Sequence, residues 1–154
     1  MADEKERPLV FLGFKDADWC PVQEWFDALP LDHQDEIVSL LNILGNRPPG
    51  LWRRPEFDRL AGAGGISEIR MDDDIRDERG SYSYRIYGYF GPSNDQYTFL
   101  HAIDKNLSKE RNDHEGKRIA RERLGQVGHG ATVHRFDFES GNLGPIAKGA
   151  EGKS

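Results

Sequence analysis

Residues 66–71 read Ile-Ser-Glu-Ile-Arg-Met and residues 82–90 read Tyr-Ser-Tyr-Arg-Ile-Tyr-Gly-Tyr-Phe. Both stretches suit β-strands. In a strand the period of two sends Ser83, Arg85, Tyr87 and Tyr89 to one face and Tyr82, Tyr84 and Ile86 to the other. Glu68 and Arg70 share a face in the same way. On neighbouring strands Arg70 and Arg85 can lie side by side, and two guanidiniums so placed make a clamp for a phosphate. His101, in the third such stretch (Tyr97 to Ile103), is a candidate acid or base because an unperturbed imidazole titrates near neutral pH. Tyr87 offers a ring on which a nucleic-acid base can stack. Each residue also has a plainer reading. Arg70 and Arg85 can pair with Glu68 or with the acids of 72–78. His101 can be a satisfied sheet histidine, with Phe99 and Ile103 on its face. The tyrosines are strand formers first.

Other chemistries find less support. Asp72-Asp73-Asp74 is a loop run without the spaced partners that a hard cation needs, and reads as a hydrated turn. His101, His114, His129 and His134 lack metal-ligand spacing, so no metal or cofactor is expected. The single cysteine, Cys20, excludes an internal disulfide and reads as a small buried residue. Gly62 to Gly65 lacks the Lys and Ser/Thr of a phosphate-cradling loop.

The chain has 154 residues, 36% hydrophobic and 31% charged, which suits one folded domain with a polar surface. Its formal net charge of -6 argues, taken whole, against a nucleic-acid partner. The charge is uneven, however. Residues 1–46 hold ten acids and three bases, so the remainder is near +1, and residues 101–130 alone hold seven bases and five acids. A mildly basic face behind an acidic front is compatible with RNA. No apolar run approaches the roughly 18 residues of a membrane span. The charged segment Met1 to Pro8 has no apolar stretch behind it, so no signal peptide is visible. These features point to the cytoplasm.

The elements that would position the chemistry follow from periodicity. Residues 1–7 read as a disordered charged tail and Pro8 to Phe14 as a strand. Asp18 offers an N-cap ahead of Pro21, and Val22, Trp25, Phe26 and Leu29 form a helical stripe that Pro30 ends. Asp32 can cap a second helix carrying Ile37, Leu40, Leu41 and Leu44, stopped by Gly45-Asn46 and Pro48-Pro49. So short a link makes an antiparallel hairpin. Residues 47–65 read as loop. Three strands follow (66–71, 82–90, 97–103), joined by a polar link, Asp72 to Gly80, and by a turn at 91–94, as an antiparallel meander. After a polar stretch, Lys105 to Asp113, Asn112 and Glu115 form a capping box for a basic helix running to about Leu124. His134, Phe136 and Phe138 alternate in the Gly-rich remainder, 131–154, and fit one edge strand; beyond Gly141 disorder is expected. The predicted class is α+β: a strand and a helical hairpin packed on a small, mostly antiparallel sheet, with a C-terminal helix.

This order resembles the RelE/ParE superfamily of toxins, and within it the phage-derived HigB-like branch of type II toxin–antitoxin systems. "EWFDALPLDHQDEIVSLLNILG" (Glu24–Gly45) is similar to that family's opening hairpin with its Phe-x-x-Leu-Pro break. "RRPEFDRLAGAGGISEIRM" (Arg53–Met71) is similar to the family's approach to its second strand, "YSYRIYGYF" (Tyr82–Phe90) to its Tyr-Arg-x-x-Tyr-Phe strand, and "YTFLHAIDKN" (Tyr97–Asn106) to the strand after that. "HEGKRIARERL" (His114–Leu124) fits its closing helix. The resemblance covers about residues 22–125 and places a RelE-like domain at 8–130. Where the family has paired lysines after the fourth strand, this chain has Asp104-Lys105.

The resemblance implies a metal-free mRNA endonuclease that works with the ribosome and inhibits translation. Such cleavage aligns and deprotonates a 2′-hydroxyl, stabilises charge on the neighbouring phosphate with fixed cations, and protonates the leaving 5′-oxygen. In the resembled family arginines at the positions of Arg70 and Arg85 belong to the active face; Lys105 would be a cation at its edge and His101 an acid or base. Tyr87, Tyr89, Lys109, Arg118 and Arg121 would contact RNA, although the basic helix also reads as a solvated face. The implied partners are mRNA, the ribosome and a cognate antitoxin. A ParE-like inhibitor of DNA gyrase and a non-toxic, phage-derived binding protein share the fold and stay open.

Overall fold

The two apolar stripes near the N-terminus fold as helices because each presents one continuous face to a sheet. A computed structural model describes residues 8–60, 64–78 and 80–139, with the backbone alone for 72–74 and 106–113. The expected tails, 1–7 and beyond Gly141, lie outside the described residues. Strand β1 (Val10–Lys15) leads to helix α1 (Pro21–Asp27) and, after Pro30, to α2 (Leu31–Gly45). Pro21 occupies the first turn of α1, as its fixed φ favours. The N-cap is Cys20 rather than Asp18. Asp18 is held instead in a tight turn closed by paired backbone hydrogen bonds between Asp16 and Trp19, each 2.9 Å. Likewise α2 starts one residue before Asp32, whose carboxylate sits in the first turn and accepts from the His33 backbone N–H at 3.1 Å. An acid there suits the positive end of the helix.

The remaining elements are a 3-10 turn (Pro49–Leu51), β2 (Phe57–Arg59), β3 (Ser67–Asp77), β4 (Gly80–Phe90), β5 (Gln96–Asp104), α3 (Lys105–Gln126) and β6 (Thr132–Arg135). They form one six-stranded sheet in the order β2-β3-β4-β5-β1-β6. The meander β3-β4-β5 is antiparallel, β1 joins β5 in parallel, and β6 returns antiparallel to β1. The class is α+β with a mostly antiparallel sheet, consistent with a RelE-like fold. The expected edge strand is present, and Phe136 behind it enters the main core.

Three expected boundaries shift. The acidic segment 72–80 is not a loop: β3 runs on to Asp77 and β4 starts at Gly80, with a register irregularity between Asp72 and Ile75. Ile75 explains it, because its side chain is buried in the core and holds the acidic strand down. The loop 47–65 contains β2, three residues long, kept in place by the pairing of Phe57 with Ile69 rather than by any periodicity of its own. The helix expected from Asn112 starts at Lys105, directly after β5, so Asn112 and Glu115 lie inside it and form no capping box at its start.

The two sheet faces carry different cores. Helices α1 and α2 bring Val22, Phe26, Ile37, Leu41 and Leu44 onto one face, against Phe11, Trp52, Phe57, Tyr97, Phe99 and Phe136. Phe11 and Phe99 stack at 5.3 Å, and Phe26 meets Phe136 edge-on at 5.6 Å. The opposite face is thinner: Phe14, Ile66, Tyr87 and Leu100 under Ala120 of α3. A buried polar chain ties the hairpin of β3 and β4 to α2. With His33 Nε2–H donating to Asp77 Oδ2 (3.1 Å), Nδ1 accepts the Tyr84 hydroxyl (2.7 Å).

Phe26 is fully buried and meets Phe136 and Phe138 edge-on. Phe26→Ala is expected to destabilise the protein by about 3–5 kcal/mol in urea unfolding; a loss under ~1 kcal/mol would contradict this core.

Candidate functional site

The polar residues predicted to share a face do so, on the side covered by α3. Register aligns them in two rows across the sheet. Asp58 of β2 stands opposite Glu68 of β3, Glu68 opposite Tyr87 of β4, and Tyr87 opposite His101 of β5. In the next row Arg70 stands opposite Arg85, and Arg85 opposite Ile103. Like charges directly opposite on neighbouring strands repel. Here carboxylates offset the repulsion: Arg70 Nε donates to Glu68 Oε2 at 2.6 Å, and Arg70 Nη2 donates to Asp58 Oδ2 at 3.1 Å. Glu68 is 2% exposed, and its Oε1 has no hydrogen-bond partner among the described residues. Arg85 is buried, with Nη1 donating to the Tyr84 carbonyl at 3.2 Å.

A β-bulge sets the position of His101. Tyr87 pairs with His101 but Gly88 pairs with Phe99, leaving Leu100 as the extra residue. Gly88 is required there, since a Cβ would fall 2.4 Å from the Thr98 carbonyl oxygen and 2.5 Å from the Tyr97 ring. The bulge reverses the parity of β5. Phe99 therefore belongs to the core under the helical hairpin, whereas Leu100 and His101 both go to the α3 side. The expectation that Phe99 shares the face of His101 fails for this reason; Ile103 does lie on that side.

Helix α3 closes over this row at Gly116, where a Cβ would come within 2.9 Å of the Tyr87 ring and 3.4 Å of the His101 ring. The Tyr87 and His101 rings lie nearly parallel, 6.2 Å apart. Arg123 of α3 reaches down, donating from Nη1 to the Leu100 carbonyl at 2.8 Å and standing 3.4 Å from His101 Nδ1. Burial first, and then the Arg123 charge, push His101 down to about 4. The expected titration near neutral pH does not hold; His101 is a neutral ring at pH 7.

The other expected residues are spread around this centre. Tyr87 is fully buried and has no face open to a base in this arrangement. Tyr89 shares its side of the sheet and is half-buried, its hydroxyl pKa raised by burial. Lys105 is half-buried at the first position of α3, one residue beyond the Asp104–Tyr84 pair. Lys109 lies in α3, its side chain outside the described residues. Arg118 is exposed and bonded to Glu115 and Glu122 on the same helix face, the solvated ladder of the plainer reading. Arg121 is exposed. Cys20 is half-buried, and burial raises its thiol pKa.

Sequence reasoning passed over Asp58, Arg54 and His33. Asp58 lies on a three-residue strand without periodic signal, and Arg54 precedes it at i−4, bonded to the same Asp58 Oδ2 at 3.1 Å. Arg54 lies in the turn before β2, where an i, i+4 spacing signals no pairing.

The α+β fold is consistent with a RelE-like one. More particularly, the family model for the phage-derived Gp49-like protein (DUF891) matches residues 24–125, and the chain belongs to that family. No curated protein and no solved structure matches the chain. Among the described residues no helix is long and apolar enough to cross a membrane.

The low pKa of His101 has a thermodynamic consequence. Its folded value lies below the unfolded value near 6.5, so above pH 6.5 the ring is neutral in both states. As the pH falls from 6.5 to about 4 the unfolded chain takes up a proton that the folded one refuses, and stability drops. Thermal melts should show wild type losing more melting temperature across that window than His101→Gln; parallel curves would contradict the assignment.

Proposed function

We propose that this protein is the toxin of a type II toxin–antitoxin pair, acting in the cytoplasm as a metal-free, ribosome-dependent mRNA endonuclease. The observation that carries the reading is the opposition of Arg70 and Arg85 on adjacent strands, two guanidiniums placed side by side as a phosphate clamp requires. Family membership supports a toxin and an antitoxin partner; the cleavage chemistry rests on the residues.

In this reading Arg70 and Arg85 stabilise the charge that develops on the phosphate under attack by the 2′-hydroxyl, with Lys105 as a further cation at the edge. The neutral His101 is in the state that accepts a proton, and an anion bound beside it would raise its pKa towards the ordinary value. Glu68, with one oxygen unpartnered among the described residues, is a second acceptor close to Arg70. The net charge of -6 gives the chain little general attraction for RNA. A ribosome that presents mRNA already bound and strained supplies what the charge does not. The antitoxin neutralises the toxin by laying a helix or strand across it.

The test is induced expression of wild type and Arg85→Ala in a bacterial host, with growth curves and mapping of mRNA 5′ ends. Wild type should arrest growth and cut translated messages, and Arg85→Ala at equal expression should do neither. Arrest with intact messages and disturbed supercoiling would transfer the assignment to gyrase inhibition. Harmless wild type would leave a binding protein, a reading favoured by the burial of Tyr87 under α3.

A further inference from the structure

Trp19 is 45% exposed, the one aromatic among the exposed large apolar side chains of the described residues. Its position is fixed twice. The backbone is held in the tight turn Asp16–Trp19 by two hydrogen bonds of 2.9 Å, and Ala17 within that turn has φ 54°, a left-handed conformation that residues other than glycine seldom adopt. The ring is backed by Arg123 of α3, whose Cζ lies over the indole, 4.9 Å from the ring centroid. Arg123 is pinned in turn. Its guanidinium also lies over the Phe14 ring, at 5.5 Å, and Nη1 donates to the Leu100 carbonyl at 2.8 Å. With one face of the indole against the guanidinium, the exposed part of the ring is its other face and its edges.

The same guanidinium stands 3.4 Å from His101 Nδ1. One side chain therefore links an exposed indole to the imidazole of the proposed site. A single apolar residue on a surface needs no function of its own. What sets Trp19 apart is an open, fixed aromatic face one guanidinium away from His101.

We infer that Trp19, backed by Arg123, is a stacking platform for one nucleobase of single-stranded RNA. The ligand is the π-face of a base rather than a phosphate. Asp16 and Asp18 of the same turn are exposed acids, which repel a phosphate, whereas a stacked base brings no net charge to the ring. A ring already held in place loses little freedom when the base arrives. This rests on the endonuclease reading for its RNA and deepens it: the arginine row takes a phosphate, and Trp19 takes a base of the same strand. Trp19 thereby supplies the open aromatic face that the buried Tyr87 cannot.

The experiment labels the full chain with 5-fluorotryptophan and follows fluorine NMR while a short, uncleavable 2′-O-methyl oligoribonucleotide is added up to millimolar concentration. Three tryptophans give three signals, and Trp19→Phe assigns the one in question. Trp25 and Trp52 belong to the core under the helical hairpin and serve as internal controls. The Trp19 signal should shift and saturate while the other two stay. A strand of the same length without bases should leave all three in place. Affinities are read from backbone amide shifts at roughly 50 and 200 mM salt. Trp19→Leu should bind the base-bearing strand about fivefold more weakly or worse, as loss of one stacked base implies. It should keep the wild-type slope of log K against log salt, because no phosphate contact is lost. Circular dichroism and melting curves check folding, with Trp19→Phe as the gentler substitute.

An unmoved Trp19 signal would overturn the platform and leave the ring as a contact for a protein partner. Equal shifts with the baseless strand would also overturn it, as would wild-type affinity in Trp19→Leu or a shallower salt slope in that variant. The two proposals fail separately. Messages cut in cells by a wild type whose Trp19 signal ignores the oligonucleotide would sink the platform alone. Base-dependent shifts of Trp19 without cut messages would sink the endonuclease reading alone.

Discussion

Arg70 and Arg85 stand opposite each other on adjacent strands, and two like charges in that register repel. Much of the surrounding structure answers this constraint. Glu68 is buried against Arg70, where an unpaired carboxylate would be very costly. The short strand β2 brings Asp58 into the same row, next to Glu68 and within reach of Arg70. Helix α3 then covers Tyr87 and His101 on β4 and β5, and burial in a medium less polar than water strengthens the electrostatic effects there. A sheet built only to fold would place apolar residues here, as its opposite face does. The charged row is a local conflict with folding, and such conflicts concentrate at functional sites.

The cover also decides what the other groups can do. Gly116 lets α3 approach closely enough to shut Tyr87 and His101 away. Burial and Arg123 then keep His101 neutral. A neutral imidazole beside Arg123 is ready to respond to an arriving anion, because the anion would favour its protonated form. Under the proposed function, a bound phosphate changes the electrostatics of every group near it.

Much of this was legible in the sequence. The helical hairpin showed in two stripes at i, i+3, i+4, i+7, and strand alternation put Arg70, Arg85 and Glu68 on one face. The plain reading that Arg70 pairs with Glu68 also holds, and it is compatible with a site. What stayed hidden depends on tertiary context. No periodicity marks β2, because Phe57 is held by pairing with Ile69. The acidic end of β3 looks like a loop until Ile75 is seen to be buried. The bulge at Leu100 moves Phe99 off the face of His101, and sequence alternation assumes an unbroken register. The histidine on α2, His33, attracts no notice in a polar stretch, yet it is buried and bridges Tyr84 and Asp77.

The central claim, that the opposed arginines are built to receive an RNA phosphate, is tested most directly by NMR of the arginine Nε–Hε groups during titration with an uncleavable oligoribonucleotide. The account predicts that the Arg70 and Arg85 signals shift together and saturate at one affinity. Shifts confined to Arg118 and Arg121 on α3, with Arg70 and Arg85 unmoved, would contradict it.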